Sequence, residues 1–376
     1  MFSDNRRISE RQMKRLLLYD MLGISTLLLP SYLAGLLGRD GIFAIMLAVI
    51  PALLVVRLMQ SVLCTRDDRG HTITANYPAM LKERTRGGFL FFRIFYGLEG
   101  ICIAGFALYY LTDLMLKELL SQESFWLISI ILLLLGAYGI YQGIEGRARV
   151  YELLYWMLMI PLLLLLLFAA KDVNVDYWAP VAQCRITDLL IGTGVVFLYY
   201  MILTLALFLT PYLNKQANVG RSCRRSLIQV AGLNAAVYLI TLGVFGANSL
   251  AGLDYPIITL LSMVKLPGGF LERQDAFMVA IWFFTLYALL NTGMFYAADM
   301  IKGINVRAGE QKKGQGTGGR WRILAVMVLV YAETCLFYRI HSFRGWFLLF
   351  QICGAVPLTL VLLIVMWVCQ KGEKHR

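Results

Sequence analysis

The chain has 376 residues, of which 59% are apolar and only 15% are charged, and its net charge is +12. About a quarter of the residues in a soluble domain are charged, so this composition excludes a soluble globular enzyme, a disordered chain and a coiled coil. The apolar residues form runs of about twenty rather than alternating with polar ones, which argues against a transmembrane β-barrel. The composition predicts an all-α integral membrane protein.

The apolar windows predict ten transmembrane helices in a single membrane domain, 1–376. The predicted spans are 12–37, 41–62, 89–115, 125–143, 147–170, 187–212, 226–248, 275–301, 321–338 and 345–370. The segments on the side of the N-terminus carry 25 Lys and Arg against 8 on the other side. This bias predicts that the N- and C-termini are cytoplasmic. The outer segment 249–274 is predicted to form a short, partly re-entrant cap rather than an eleventh span.

Two spans carry Gly and Pro at corresponding places. Span 1 contains Gly23, Ile24, Ser25, Thr26 and Pro30, and span 6 contains Gly192, Thr193, Gly194 and Pro211. These spans begin two halves of five helices, 12–170 and 187–370. Because five is odd, the halves must cross the membrane in opposite senses. Broken helices 1 and 6 of a 5+5 inverted repeat are the usual sign of a transporter-type binding site. The alternative is that the small residues only allow close helix packing.

Ionisable residues inside spans are costly and therefore predict functional positions. Glu99 lies near the middle of span 3 and Asp20 lies about one third of the way into span 1. Glu99 is a candidate for binding a ligand amine, for holding or coupling a proton, or for pairing with a neighbouring helix. The spacing of Glu145, Arg149 and Glu152 predicts an ion-pair ladder on one helix face, with a structural or gating role rather than a ligand contact.

Several neutral polar side chains inside spans are further candidates for ligand contact. They are Tyr96 in span 3, Tyr200 and Thr204 in span 6, and Tyr287 and Asn291 in span 8. Hydroxyl and amide groups at such positions can hold a small polar ligand. They can equally well join two helices by a hydrogen bond without any ligand.

The sequence carries no motif of a soluble enzyme, because it has no P-loop, no G-x-S-x-G and no H-E-x-x-H. Its three His lie outside the predicted spans, and its seven Cys include no C-x-x-C pair. The sequence therefore predicts no catalytic residue, no metal site and no cofactor. Nucleic acid is also not expected as a partner, because the distribution of the basic residues is explained by membrane topology.

Three stretches form motifs that occur in the same order in a known family. They read ISERQ with LGISTLLLP and LLGRDG, then YGIYQGIEGRARVYE, and then YPIITLLSMVKLPGGFLERQDAFMVAIW. The matching residues are Ile8, Ser9, Arg11, Gln12, Gly23, Pro30, Gly38, Asp40, Gly143, Glu145, Arg149, Glu152, Tyr255, Pro256, Phe270, Glu272, Arg273, Asp275 and Trp282. The chain thereby resembles the spore germination B-subunit family, the integral membrane subunits of GerA-type nutrient germinant receptors.

This resemblance implies the ten-helix fold of the amino acid–polyamine–organocation transporter superfamily. It further implies an L-amino acid or similar nutrient bound between spans 1, 3, 6 and 8, with a receptor A subunit and a lipoprotein C subunit as partners in the inner membrane of a bacterial spore. One departure concerns span 6, where many members have a Gly-x-Glu element. Here no acid follows Asp188 in that span, and Thr204 stands near the position of the missing Glu.

The leading hypothesis is a membrane subunit that binds a nutrient in a transporter-like pocket and triggers germination without net transport. The alternative is a stand-alone amino acid permease, proton-coupled through Glu99 or Asp20. A third reading is an ion-conducting or scaffold subunit with a vestigial pocket. A sensor and a carrier can share one pocket, so the sequence does not separate the first two.

Overall fold

A computed structural model describes residues 7–66, 72–85, 87–214, 217–264, 274–302, 318–340 and 343–374. Its helices are α1 (Glu10–Leu37), α2 (Gly41–Leu63), α3 (Tyr77–Arg84), α4 (Phe89–Glu118), α5 (Phe125–Tyr141), α6 (Gly143–Ala169), α7 (Ile186–Tyr200), α8 (Ala206–Leu209), α9 (Val219–Ala251), α10 (Pro256–Met263), α11 (Gln274–Lys302), α12 (Gly318–Ile340), α13 (Phe343–Phe350) and α14 (Val356–Lys374). Strands β1 (Cys64–Arg66) and β2 (Thr72–Thr74) form a short antiparallel hairpin after α2, with Thr65 opposite Ile73.

The fold is that of an all-α integral membrane protein, as the composition predicts. Eight stretches of the described chain are long and apolar enough to cross a membrane, and the first, Glu10–Leu63, contains both α1 and α2. Helix α5 is a shorter apolar helix of 17 residues. Large apolar side chains such as Leu153 and Leu167 are more than 70% exposed, as expected where lipid replaces water. The count of ten spans and the inverted repeat stay predictions.

Helix α1 is the central helix of the bundle. It begins with a capping box, in which Ser9 accepts from the backbone N–H of Gln12 and the Gln12 side chain accepts from the backbone N–H of Ser9. Every residue from 15 to 30 is buried, because α1 packs against α6, α7, α9 and α11. A helix buried on all sides carries its polar residues into the protein interior. The side chains of α1 are therefore the natural centre of any internal site.

The predicted break in the first span is wrong, because α1 is helical throughout, including Pro30. The hydroxyls of Ser25 and Thr26 donate to the carbonyls of Met21 and Leu22, four residues earlier, at 2.7 Å, and so remain within the helix. Gly23 instead allows contact with α11, since a Cβ on Gly23 would lie 2.5 Å from Thr285 Oγ1. Close helix packing is thus the role of the small residue here.

The sixth span is interrupted, although not at the glycines. Helix α7 runs through Gly192 and Gly194 without a break and ends at Tyr200. A 3-10 segment, Met201–Leu205, follows, and α8 is only four residues long. A Cβ on Gly192 would lie 2.8 Å from Leu37 Cδ1, so this glycine also serves packing, here against the end of α1.

Two further features concern the second half of the chain. Helix α9 has a kink at Gly246, whose φ of 71° is in the region that favours glycine, and the sequence analysis did not predict it. The predicted cap is represented by the eight-residue helix α10, whose residue Pro256 lies in its first turn. The family-like residues Phe270, Glu272 and Arg273, and the loop 303–317, lie outside the described residues.

Asp40 organises the turn that joins α1 to α2. It is 2% exposed, and its carboxylate accepts from the backbone N–H groups of Ala182 (2.6 Å), Gln183 (2.7 Å) and Cys184 (2.8 Å). The carboxylate thereby holds the connection that leads into α7. The neighbouring Arg39 also donates to the Ala179 carbonyl of the same connection. This turn ties the first half of the chain to the beginning of the second.

Asp40→Asn is expected to destabilise the protein by about 1–2 kcal/mol, because an amide NH₂ in place of one carboxylate oxygen leaves at least one of the three backbone N–H groups without its acceptor. The measurement is thermal unfolding in detergent. The exposed Asp172→Asn on the same connection is the matched control and should melt like the wild type. Equal melting of Asp40→Asn and the wild type would contradict the role given to this carboxylate.

Candidate functional site

Buried polar side chains form three separate groups around α1, α4 and α11, and some of the predicted ligand residues lie in the first two. The first group surrounds Ser25 of α1. The Ser25 hydroxyl lies 3.1 Å from Asn234 Oδ1 of α9, and Trp282 Nε1 of α11 donates to Thr26 Oγ1 at 3.1 Å. Tyr200 lies beside Asn234, but no hydrogen bond of ordinary geometry joins them, and the Tyr200 hydroxyl and Asn234 Nδ2 are both buried without a partner among the described residues.

The second group surrounds Glu99 of α4. Glu99 is 3% exposed and makes no hydrogen bond or ion pair with any described residue. The phenols of Tyr77, Tyr96 and Tyr296 lie within electrostatic range of its carboxyl group. The ring of Phe208 packs against these three phenols, with centroid distances of 4.4–5.4 Å. Glu99 thus faces an aromatic cage built from α3, α4, α8 and α11.

The third group, here called the Asp20 cluster, consists of Asp20, Arg147 and Thr292. The Thr292 hydroxyl donates to Asp20 Oδ1 at 2.7 Å, and Arg147 Nη2 donates to Thr292 Oγ1 at 2.9 Å. All three side chains are buried, with Arg147 6% exposed and Asp20 1% exposed. The cluster joins α1, α6 and α11. Each of these helices contains residues of one of the three sequence motifs.

Sequence reasoning found Asp20 but missed Arg147 and Thr292. Arg147 lies at the start of a predicted span, between Glu145 and Arg149, and was counted only as a cytoplasmic charge. The charged residues on either side, Glu145 and Arg149, are half-buried and exposed, whereas the Arg147 side chain points into the bundle beside the ring of Phe295, 5.7 Å away. The available signal was the apolar character of the helical face on which Arg147 lies. Tyr151 and Leu154, four and seven residues later, are on the same face of α6.

The remaining predicted ligand residues lie outside these three groups. Tyr287 donates to the Leu135 carbonyl of α5 at 2.9 Å. Asn291 is fully buried, and neither its Oδ1 nor its Nδ2 has a partner among the described residues. Thr204, near the position of the acid that is missing from span 6, donates to the Met201 carbonyl inside the 3-10 segment. Ile24 is a buried apolar residue of α1.

The predicted ion-pair ladder is only half formed. Glu145 and Arg149 pair on the surface of α6, as the spacing predicts. Glu152, however, pairs with Arg15 of α1 at 3.0 Å and also accepts from Gln12 Nε2 at 3.0 Å. Glu152 therefore joins two helices rather than extending a ladder on one, and this contact is suited to holding α1 and α6 together.

The end of the bundle that holds the N-terminus of α1, called here the near end, is closed by several contacts. The backbone of Ile8 bonds to Tyr212 and Asn214, and the Ile8 side chain is fully buried. The hydroxyls of Ser222 and Ser226 on α9 donate to carbonyls in the first turns of α1, at 3.1 and 2.8 Å. The motif at the start of the chain thus fixes α1 to the ends of span 6 and the start of α9.

The opposite end, called here the far end, contains a cavity of about 490 Å³. It lies among the end of α1, the Asp40 turn, the connection before α7 and the kink of α9, and its lining includes Leu36, Tyr177 and Gly246. A second cavity, of about 380 Å³, shares Leu36 and is bordered by Tyr32 and Arg344, which stack at 4.0 Å. Among the described residues, open space therefore lies at the far end, whereas several contacts hold the near end together.

The fold and these buried polar groups define a multi-pass helical membrane protein with an internal polar centre. The sequence matches the family described as spore germination protein over residues 7–330, and the chain belongs to this family. It is 26% identical to spore germination protein YndE of Bacillus subtilis over 186 residues, which is 48% of this chain and 50% of that protein. It is 24% identical to spore germination protein A2 of Bacillus subtilis over 181 residues, covering 46% of this chain and 49% of that protein.

Spore germination protein GerLB of Bacillus cereus is a further relative, with 29% identity over 119 residues and 31% of each chain covered. The chain thus spans about half the length, or less, of the curated relatives it matches. The resemblance seen in the sequence motifs is confirmed at the level of the family. Membership supports a role in germination and a permease-like membrane function.

Proposed function

We propose that the chain is the membrane subunit of a spore nutrient-germinant receptor, and that it binds an amino acid or a similar small nutrient between α1, α4, α6 and α11. Binding shifts the balance between two arrangements of the bundle, and partner subunits read that shift. The partners are a receptor A subunit and a lipoprotein C subunit, and the location is the inner membrane of the spore. Family membership and the motif resemblance support this assignment.

The observation that carries the proposal is the number of unpaired polar atoms buried close to α1 and α11. Asp20 Oδ2, Arg147 Nε and Nη1, the Tyr19 hydroxyl and both amide atoms of Asn291 have no partner among the described residues. Inside a membrane such atoms are expensive unless something else satisfies them. A small polar ligand supplies the missing hydrogen bonds, and the free energy thereby gained favours the arrangement that holds the ligand.

The two ends of the bundle suggest the direction of entry. The near end is closed by the Ile8 backbone bonds and by the Arg15–Glu152 pair, whereas the far end contains the cavity next to the Asp40 turn. The ligand therefore enters from the far end in the proposed receptor. A permease needs in addition that the near end opens, which requires breaking the Arg15–Glu152 pair and the contacts of Ile8.

The test is made on the purified full chain in liposomes, with uptake and equilibrium binding of a panel of labelled amino acids measured on the same samples. Saturable binding without accumulation is expected for a receptor subunit. Saturable uptake that follows a proton gradient would instead identify the chain as a permease. If none of the twenty amino acids binds, a nutrient site of this class is excluded.

Glu99→Gln is expected to weaken ligand binding about 10-fold or more, because it removes the charge of the carboxylate that lies within electrostatic range of Tyr77, Tyr96 and Tyr296 while keeping the side-chain size. The dissociation constant of the best ligand measures the effect. The control is Glu333→Gln, which changes another carboxyl packed on α4, beside Gly105, and should leave binding unchanged. Unchanged binding by a well-folded Glu99→Gln protein would make Glu99 a structural residue.

A further inference from the structure

The Asp20 cluster contains two opposite charges that are joined through a hydroxyl rather than to each other. Arg147 donates to Thr292, and Thr292 donates to Asp20, so the three groups form a chain. The second carboxylate oxygen of Asp20 and two nitrogens of Arg147, Nε and Nη1, remain unpaired among the described residues. Each charge therefore keeps free hydrogen-bonding capacity at a site that is more than nine-tenths buried.

The pair Arg15–Glu152 shows how the same two helices, α1 and α6, hold a satisfied ion pair. There the guanidinium and the carboxylate meet directly at 3.0 Å, Gln12 adds a further donor to Glu152, and Arg15 also donates to the Glu152 carbonyl at 3.2 Å. Its guanidinium also lies 4.7 Å from the ring of Tyr155. The Asp20 cluster differs because its charges are held apart with unused donors and an unused acceptor.

The chemistry of these unused atoms selects a class of ligand. An arginine fork binds a carboxylate with two parallel hydrogen bonds, and a carboxylate oxygen accepts from an ammonium group. A simple anion would satisfy Arg147 and be repelled by Asp20, while a simple cation would satisfy Asp20 and be repelled by Arg147. A molecule that carries both charges close together satisfies both groups, and an α-amino acid zwitterion is such a molecule.

Aromatic rings border the cluster on more than one side. The rings of Tyr19 and Tyr151 lie 5.3 Å apart, and Phe295 lies next to the Arg147 guanidinium. The Tyr19 hydroxyl is itself buried without a partner among the described residues, and Asn291 precedes Thr292 on α11 with its amide unused. Tyr151 and Phe295 provide apolar contact beside the two charges. The Tyr19 hydroxyl, in contrast, lies towards Arg15 and Tyr155, and the Asn291 amide lies against Gly139 of α5.

We propose that Arg147 and Asp20 bind the carboxylate and the ammonium group of a zwitterionic amino acid, with Thr292 holding the two side chains in register. The inference rests on the proposed function, since it assigns the head group of the nutrient. Among the described residues, the cage around Glu99 contains phenols and no basic side chain, so it is not suited to the ligand carboxylate, and Glu99 is assigned to another part of the ligand.

The test compares analogues that lack one charge. From a panel of the twenty L-amino acids, the tightest ligand is taken together with its amide, which lacks the carboxylate, and its deaminated acid, which lacks the ammonium group. The wild-type full chain is expected to bind each analogue about 10- to 100-fold more weakly than the amino acid. This comparison needs no variant and therefore stands even where a substitution prevents folding.

The variants then locate each charge. Arg147→Met should weaken the amino acid to the level of the amide and leave binding of the amide itself unchanged. Asp20→Asn should weaken binding of the amino acid to the level of the deaminated acid and leave binding of the deaminated acid itself unchanged. Arg147→Lys keeps the positive charge but loses the paired N–H donors of the guanidinium. Its affinity for the amino acid should lie between those of the wild type and Arg147→Met. Glu152→Gln, in the neighbouring ion pair, is the control and should change all three affinities equally or not at all.

Three results would overturn the assignment. The first is wild-type binding of the amide or the deaminated acid as tight as that of the amino acid. The second is an equal loss for all three compounds in Arg147→Met, which indicates a structural ion pair. The third is unchanged binding of the amino acid in Arg147→Met and Asp20→Asn, with Glu99→Gln still impaired. That result leaves the proposed receptor function standing. If no amino acid binds at all, both the head-group assignment and the proposed receptor function are wrong.

Discussion

Gly293→Ala is expected to remove most of the folded protein. A Cβ on Gly293 of α11 would lie 2.7 Å from both the Ala104 nitrogen and the Gly100 carbonyl oxygen of α4. In the reverse direction, a Cβ on Gly100 would lie 2.9 Å from the Gly293 carbonyl oxygen. The obstructing atoms belong to the backbone, so no rotamer change relieves the overlap and the two helices must separate. The cost should exceed about 3 kcal/mol, the upper end of the usual range for overpacking.

The measurement is the yield of monodisperse protein in detergent together with its midpoint of thermal unfolding. Gly232→Ala is the matched control, because nothing lies within 4 Å of a Cβ at Gly232 inside α9. That substitution should be neutral or stabilise by up to about 1 kcal/mol, as Ala is the better helix former. A Gly293→Ala protein that is obtained in normal yield and melts like the wild type would show that α4 and α11 are not held at this distance.

Gly23→Ala is expected to destabilise the protein and to abolish ligand binding. The new Cβ would lie 2.5 Å from Thr285 Oγ1 and 2.8 Å from Thr285 Cβ. Thr285 cannot turn away freely, because its hydroxyl donates to the carbonyls of Ile281 and Trp282 within α11. Helix α1 must therefore move away from α11, and that movement also disturbs Asp20, which lies one turn earlier and is bonded to Thr292.

The double variant Gly23→Ala/Thr285→Gly separates this explanation from a break in α1. Thr285→Gly removes the two atoms closest to the new methyl group, and the next nearest, the Leu286 nitrogen, lies 3.2 Å away. Partial recovery of thermal stability and of ligand binding is therefore expected. Gly194→Ala, in a helical position with nothing within 4 Å, is the control and should bind normally. A double variant as impaired as Gly23→Ala alone would argue for an unwound site at Gly23.

The membrane class could be predicted from the sequence, whereas the contacts that close the near end could not. Runs of apolar residues are readable because a lipid-facing helix needs no partner to be stable, and hydropathy alone predicts it. The start of α1 was also readable, since Ser9 and Gln12 have the spacing of a capping box. The motif resemblance indicated the correct family, although motif residues such as Asp40 and Glu152 make contacts far along the chain rather than local ones.

The predictions from sequence were wrong where one residue type can serve either of two structural roles. Gly23 in a span signals either unwinding or close approach, and only the position of Thr285, more than 250 residues away, decides for close approach. The same holds for Glu152, whose spacing from Arg149 predicted a ladder although Arg15 on another helix is its partner. The ligand roles of Gly23, Ser25, Glu99 and the other candidate residues stay predictions.

The sequence by itself determined that the chain lies in a membrane, because burial of that much apolar surface in water-soluble form is impossible for 376 residues. It also predicted that Asp20 and Glu99 lie in the interior, and both are buried. The tertiary structure alone decided that Arg147 turns into the bundle and meets Thr292 and Asp20, since these three lie far apart in the chain. Interhelical hydrogen bonds depend on which faces of the helices meet, and a single sequence does not encode that choice locally.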